Sequence, residues 1–168
     1  IRALKTVAEH RPKTQLVIIG SGPEEHALKE LTKNFGISRS VAFIPWTNDV
    51  ASYMRSADIF ALSSYREGWG RVILEAMAAG LPGVVTDVGC VGELFLNRHH
   101  GIVVPVDDVD ALQKALEELI GDPLLRQRYG AMAGRDVAAL LGRQMPYAET
   151  WLATFDTCGG TKEKKGVY

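Results

Sequence analysis

The chain has 168 residues, of which 46% are hydrophobic and 23% charged, as is usual for a globular domain with a hydrophobic core. Its 19 basic and 20 acidic side chains give a formal net charge of -1. No overall positive field therefore attracts nucleic acid, and any phosphate site has to be local. The two cysteines, Cys90 and Cys158, lack metal-ligand spacing and favour a reduced cytosolic setting. No apolar run reaches the roughly 18 to 20 residues that span a bilayer.

Short apolar runs alternate with longer helical patterns, which predicts an α/β fold built on a parallel sheet. The opening IRALKTVAEHRP already has the pattern of a helix interior, so the chain is expected to be part of something longer. Strands are predicted at 15–19, 41–44, 59–62, 84–86 and 102–104. Helices are predicted at 24–34, 50–56, 70–79, 109–120, from Pro123 to about 141, and at 146–155. The glycine-rich segment 158–168 is expected to be a flexible tail.

Glu67 follows the predicted strand 59–62 and therefore lies beyond its carboxyl end, where open parallel sheets bind ligands. Gly68 and Gly70 allow a ligand to approach the backbone closely. A helix then begins near Gly70 and is expected to end at Gly80. The free N–H groups and the dipole at the start of this helix favour an anion, and a diphosphate fits that description.

Glu75 lies about one and a half turns into the same helix, so it can face the same cleft as Glu67. Two carboxylates beside a phosphate site indicate a ligand with several hydroxyl groups, such as a sugar or a ribose. Taken alone, a glycine turn and two glutamates eight positions apart are more often ordinary surface features. The neighbours of Glu75 are apolar, however, and a buried carboxylate is costly unless it is paired or functional.

The run EGWGRVILEAMAAGLPGVV resembles the signature of the retaining glycosyltransferases of the GT-B fold, family 4 type, also called glycosyl transferases group 1. The segments LVIIGSGPEEHALKEL, VAFIPW, SADIFALSS and HHGIVVPVDDVDALQKALEELIGDP resemble other parts of the same family. The resemblance implies a Rossmann-like doubly wound parallel sheet with helices on both faces. Residues 1–157 would form the nucleotide-sugar donor-binding domain, the C-terminal half of the GT-B fold.

The resemblance also implies a role for each site residue. Glu67, the candidate catalytic residue, would hold hydroxyls of the donor sugar, and Glu75 would hold those of the ribose. The backbone beside the diphosphate and sugar would come from Gly68, Trp69, Gly70, Arg71 and Val72. Gly22 would border the same crevice, and Ile44 and Pro45 would lie near the nucleobase. Transfer would retain the anomeric configuration, with a nucleotide-diphosphate sugar as donor substrate and neither a cofactor nor a metal ion.

The sequence departs from the family pattern at several positions. Pro45 stands where many relatives have glycine, Gly83 where valine is usual, and Gly89-Cys90 where a glycine pair is usual. In relatives a strand followed by an arginine and a lysine precedes the helix at residue 1, so a sheet ordered 3-2-1-4-5-6 would lack its first strand and have a gap.

In relatives an amino-terminal domain mainly binds the acceptor, which is a sugar, a lipid or a small molecule. This domain would precede Ile1, and the chain alone is therefore expected not to turn over. The expected location is the cytoplasm, with peripheral association of the full-length protein with the membrane left open. No nucleic-acid partner is expected.

Two other functions remain open: a nucleotide-sugar 2-epimerase, and a truncated, non-catalytic nucleotide-binding domain. A dinucleotide enzyme is disfavoured because Glu25 occupies the third glycine position after Gly20-Ser21-Gly22. Adjacent residues rarely point at one ion, so His99 and His100 are interpreted as loop residues and not as metal ligands. Cys90 is interpreted as a small packed side chain.

Overall fold

The computed structural model describes residues 1–141, in which helices and parallel strands alternate. The helices are α1 (Arg2–His10), α2 (Glu25–Asn34), α3 (Val50–Ser56), α4 (Arg71–Ala78), α5 (Val109–Gly121) and α6 (Pro123–Leu141). The strands are β1 (Leu16–Ile19), β2 (Val41–Ile44), β3 (Phe60–Leu62), β4 (Gly83–Thr86) and β5 (Gly101–Val104). The predicted elements within this range are confirmed to within one residue, and only a 3-10 turn at Ser38–Ser40 was not predicted. The predicted helix 146–155, the tail 158–168 and the domain boundary at 157 lie outside the described residues.

The strands form two parallel sheets, one of β1 and β2 and the other in the order β3-β4-β5. Within residues 1–141, β1 pairs only with β2 and β3 only with β4, so one edge of each of these strands is unpaired. Val17 on β1 is 45% exposed. The separation of the strands into two sheets agrees with a break in the expected 3-2-1-4-5-6 order.

Helices cover both faces of the larger sheet. Val84 and Val85 are consecutive on β4, so their side chains point to opposite faces, and both are fully buried. Val85 packs in a cluster with Ile73 of α4 and Val137 of α6. Val84 packs on the other face, in a cluster formed mainly with α5. The doubly wound architecture with helices on both faces is confirmed.

Helix α1 connects the smaller sheet to the rest of the domain. Leu4 and Val7 are buried in a cluster that also contains Leu16 of β1, Val41 of β2 and Leu116 of α5. Within residues 1–141 no helix combines the length and the hydropathy that crossing a membrane requires.

The structure explains why β4 begins with glycine where valine is expected. A Cβ atom added to Gly83 would lie 2.8 Å from two ring atoms of Phe95. The Phe95 ring is 1% exposed and belongs to the same cluster as Val85, so it has little freedom to move. Gly83 therefore leaves room for an aromatic side chain that fills the core.

Gly83→Ala should lower the free energy of unfolding by about 1 to 3 kcal/mol, because the added methyl group overpacks the core against Phe95. Chemical denaturation measures the change. Gly121→Ala is the matched control, because a Cβ there meets only the end of the Arg11 side chain at 3.5 Å. If both variants were as stable as the wild type, the packing explanation for Gly83 would be wrong.

Candidate functional site

Glu67 lies in the loop between β3 and α4, and two hydroxyl groups fix its position. The Ser64 hydroxyl donates to Glu67 Oε1 at 2.8 Å. The Thr86 hydroxyl, at the end of β4, donates to the carbonyl oxygen of Ser64 at 2.7 Å. Thr86 is 3% exposed, whereas Glu67 is half-buried. The buried strand β4 therefore holds the loop that presents the Glu67 carboxylate.

The Gly68-Trp69-Gly70 turn packs against the loop that follows β4. Gly70 has a φ of 76°, in the left-handed region that favours glycine, and it precedes the first residue of α4. The N–H of Cys90 donates to the carbonyl oxygen of Trp69 at 3.1 Å. A Cβ on Gly89 would lie 3.1 Å from Glu67 Cβ and 3.1 Å from that same carbonyl oxygen. The two loops thus approach each other so closely that Gly89 cannot carry a side chain without displacing the site.

Packing explains why Cys90 stands where the family pattern usually has glycine. Its side chain is fully buried in the cluster that contains Ile73 and Phe95. Burial raises the pKa of the Cys90 thiol, because the charged thiolate is poorly solvated there. The interpretation of Cys90 as a small packed side chain is confirmed.

The amino-terminal end of α4 faces the Gly68-Trp69-Gly70 turn. No side chain in the first turn of α4 compensates the positive end of the helix dipole. Gly70 provides no side-chain cap, and the first turn of α4 contains no acidic residue. By helix geometry, the first N–H groups of a helix have no carbonyl partner within that helix. The end of α4 is thus a candidate anion site bordered by Glu67 and the Gly68-Trp69-Gly70 turn.

Glu75 lies one turn after Arg71 on α4 and is half-buried, in agreement with its apolar surroundings in the sequence. Burial raises the pKa of the Glu75 carboxyl group, and the nearby positive charge of Arg71 lowers it in part. The net direction is upward, so desolvation outweighs the attraction to Arg71. Such a carboxylate gains more from a hydrogen-bond donor on a ligand than a fully solvated one does.

The other predicted residues lie at the carboxyl ends of β1 and β2. Ile19 and Ile44 are partners in the register of these strands, and the N–H of Gly20 donates to the carbonyl oxygen of Ile44 at 2.9 Å. Gly22 and Pro45 are exposed beside this pair. The structure therefore groups Gly22, Ile44 and Pro45 on the smaller sheet, and Glu67, the glycine turn and Glu75 on the larger one.

The two adjacent histidines converge on one carboxylate. His99 Nε2 and His100 Nε2 lie 2.8 and 3.0 Å from Asp136 Oδ2 on α6. The Leu96 N–H donates to His100 Nδ1 at 3.1 Å, which assigns the proton of a neutral His100 to Nε2. His100 therefore donates to Asp136 and offers no lone pair to a metal ion, although the three side chains are close enough to surround one.

These hydrogen bonds join the start of β5 to α6 and hold the pKa of Asp136 well below its usual range, with the His100 hydrogen bond contributing most. The cluster is thus a structural connection between β5 and α6. His99 and His100 lie in the turn before β5, as expected for loop residues, and His100 is only 2% exposed with both ring nitrogens hydrogen-bonded.

Sequence reasoning missed three residues that shape the site. Ser64 and Thr86 orient Glu67, and the hydroxyl of Tyr65 donates to Asp107 at 2.8 Å, which connects the Glu67 loop to the loop before α5. A signal for Thr86 was present, since it is a polar residue at the end of a run that is otherwise Val-Val. Open depressions of about 420 and 500 Å³ border the 87–97 and 105–110 loops, and neither is lined by Glu67 or Glu75.

Comparison with known proteins agrees with this geometry. The family described as glycosyl transferases group 1 matches residues 1–136. An uncharacterized glycosyltransferase of Haemophilus influenzae is 38% identical over 126 residues, which cover 74% of this chain and 36% of that protein. A GDP-mannose-dependent monoacylated alpha-(1-6)-phosphatidylinositol monomannoside mannosyltransferase of Corynebacterium glutamicum is 37% identical over 144 residues, covering 80% of this chain and 37% of that protein.

Among solved structures, the C-terminal domain of the glycosyl transferase group 1 family protein LpcC from Francisella tularensis matches with a TM-score of 0.75 and 26% identity. The match covers 82% of this chain and 75% of that one. This chain belongs to the glycosyl transferases group 1 family and has the fold of its GT-B C-terminal domain. It spans 36% and 37% of the length of the two curated relatives.

Glu75→Gln should raise the free energy of unfolding at neutral pH, because it removes a charge that burial disfavours. A carboxyl group whose folded pKa is raised stabilises the fold below its unfolded value of 4.5, and this contribution is lost as the pH rises through the folded pKa. The advantage of the variant should therefore disappear below about pH 4.5. Denaturation curves at several pH values measure it.

Glu93→Gln, at an exposed glutamate in the loop after β4, is the matched control and should change stability little. A Glu75→Gln variant that was less stable than the wild type at neutral pH would contradict this account. It would mean that the attraction between Glu75 and Arg71 outweighs the cost of burial.

Proposed function

We propose that this chain binds the nucleotide-diphosphate sugar of a retaining glycosyltransferase, which transfers the sugar to an acceptor. The observation that carries the proposal is the arrangement of Glu67 and Glu75 around the uncapped amino-terminal end of α4. Membership of the glycosyl transferases group 1 family supports it, and so does the GDP-mannose dependence in the description of the Corynebacterium relative.

The diphosphate would lie at the end of α4. The backbone N–H groups of Gly70, Arg71 and Val72 would face its oxygens, and the helix dipole would stabilise its negative charge. Gly68 is exposed, and a Cβ there would meet nothing within 4 Å, so a ligand can approach this backbone closely. The same groups would stabilise the diphosphate as the leaving group, because its negative charge increases as the bond to the sugar breaks.

The two carboxylates would receive the hydroxyl groups of the ligand. Glu67 would accept hydrogen bonds from hydroxyl groups of the donor sugar. Glu75, which lies deeper along α4, would accept them from hydroxyl groups of the ribose. The carboxyl ends of β1 and β2, with Gly22, Ile44 and Pro45, would border the nucleobase. Ionised carboxylates accept hydrogen bonds and cannot donate them, so both positions suit hydroxyl groups and exclude phosphate oxygens.

In this proposal no metal ion takes part, and an oxygen of the leaving diphosphate helps to remove the proton from the acceptor. The acceptor would be a sugar, a lipid or a small molecule, bound mainly by an amino-terminal domain. The phosphatidylinositol mannoside in the relative's description is compatible with a lipid-linked acceptor and with a cytoplasmic protein at the membrane surface. The 2-epimerase alternative is not favoured by the family assignment.

A calorimetric titration tests the proposal, with UDP, GDP and ADP as nucleotides and UDP-glucose and GDP-mannose as nucleotide sugars. We expect at least one nucleotide to bind, and Glu75→Ala to weaken it about 10-fold or more, as expected for loss of a charge-assisted hydrogen bond. Glu93→Ala removes an exposed carboxylate from the loop after β4 and should leave the affinity unchanged.

Binding that is equally tight in the wild type and in Glu75→Ala would show that the ribose assignment is wrong. The absence of binding with every nucleotide would contradict the proposed function as a whole. Nucleotide binding by a longer chain that includes the upstream region, without sugar transfer, would favour the non-catalytic alternative.

A further inference from the structure

The hydroxyl groups of Thr86 and Ser64 form a chain of hydrogen bonds that ends on the carboxylate of Glu67. We infer that Ser64 is a positioning residue for Glu67, and that this chain restricts the Glu67 end of the site to ligand groups that donate hydrogen bonds. The inference rests on the proposed function and adds to it the chemistry of the group that contacts Glu67.

The direction of every proton in the chain follows from the partners. A hydroxyl group has one proton to donate. Thr86 donates its proton to the carbonyl oxygen of Ser64 at 2.7 Å, with the carbonyl oxygen of Leu62 farther away at 3.5 Å. Ser64 donates its proton to Glu67 Oε1 at 2.8 Å. Both hydroxyl protons are therefore used within the protein, and neither is available to a ligand.

The Glu67 side chain is constrained at its base as well as at its tip. Gly89 lies so close that a Cβ there would be 3.1 Å from Glu67 Cβ. The hydrogen bond from Ser64 holds Oε1, which restricts the positions open to the second oxygen, Oε2. A flexible glutamate normally loses rotamer freedom when it binds a ligand, and here much of that loss has occurred before binding.

The site is consequently divided into two parts of opposite chemistry. At Glu67 the protein offers acceptors, namely Oε2 and the lone pairs of the Ser64 hydroxyl. At the start of α4 it offers donors, the N–H groups of the first turn. A phosphate or carboxylate would be repelled by Glu67, whereas a hydroxyl or an ammonium group would bind. The sugar group that contacts Glu67 is therefore a neutral hydroxyl or an amine, and not an acidic substituent.

The test compares each nucleotide sugar with the matching nucleotide, so that the contribution of the sugar is separated from that of the nucleotide. The dissociation constants of UDP and UDP-glucose, and of GDP and GDP-mannose, are measured by calorimetry. The sugar ratio is the dissociation constant of the nucleotide divided by the dissociation constant of the corresponding nucleotide sugar. The variants are Ser64→Ala, Ser64→Thr, which keeps the hydroxyl, and Glu67→Gln. Ser63→Ala, at the exposed neighbouring serine, is the control.

Ser64→Ala should lower the sugar ratio about 3- to 10-fold, as loss of one hydrogen bond implies, and should change nucleotide affinity less than about 2-fold. Glu67→Gln should lower the ratio at least as much, and Ser64→Thr should restore it. An unchanged ratio in Ser64→Ala, together with a lowered ratio in Glu67→Gln, would overturn the inference and leave the proposed function standing. If Ser64→Ala weakened the binding of the nucleotide and of its nucleotide sugar equally, Ser64 would have a general structural role and the inference would be overturned.

An unchanged ratio in Glu67→Gln would instead contradict the proposed contact between Glu67 and the sugar. A second measurement needs no ligand. Crystal structures of the wild type and Ser64→Ala should show one Glu67 conformation in the first and several in the second. A single, identical Glu67 conformation in both would also overturn the positioning role of Ser64.

Discussion

The domain depends on strand β4, all four residues of which are buried. Gly83 leaves room for Phe95, Val84 and Val85 fill the cores on the two faces, and Thr86 holds the carbonyl oxygen of Ser64. The same strand thus joins the two helical layers and positions the loop of the candidate catalytic residue. A strand buried on both faces is rigid, which is what a site needs if its groups are to be arranged before the ligand binds.

The candidate site combines features that cost stability with features that stabilise the surrounding structure. Glu75 is a carboxylate whose ionisation burial disfavours, and Gly70 adopts a left-handed conformation to begin α4 without a side-chain cap. At the opposite end of the parallel sheet, before β5, the hydrogen bonds of His99 and His100 to Asp136 connect β5 to α6. Costly groups concentrated where a ligand can compensate for them are typical of functional sites.

Much of the fold could be predicted from the sequence, because buried parallel strands appear as β-branched runs and the helices show regular apolar spacing. The separation of β1 and β2 from β3, β4 and β5 into two sheets also agrees with the expected break in the sheet order. Glu67 and Glu75 could be singled out because they flank a glycine turn at a strand end.

The contacts between residues distant in the chain could not be predicted. Thr86 and Ser64 are 22 positions apart, and His100 and Asp136 are 36 apart, so only the folded structure shows that they meet. The convergence of two adjacent histidines on Asp136 also depends on the local turn before β5, which has no periodic sequence pattern. For the same reason the sequence shows only that Gly83 replaces a usual valine, whereas the structure shows that the distant ring of Phe95 fills the space beside it.

The proposed function places the nucleotide-sugar donor at the amino-terminal end of α4. A titration of the isotopically labelled chain with UDP and GDP, followed by backbone amide chemical shifts, tests it most directly. We expect the amides of Gly70, Arg71 and Val72 to shift most, with smaller changes near Ile44. Shifts confined to other surfaces, such as the depression beside Asp87 and Asn97, or no shifts with either nucleotide, would contradict it.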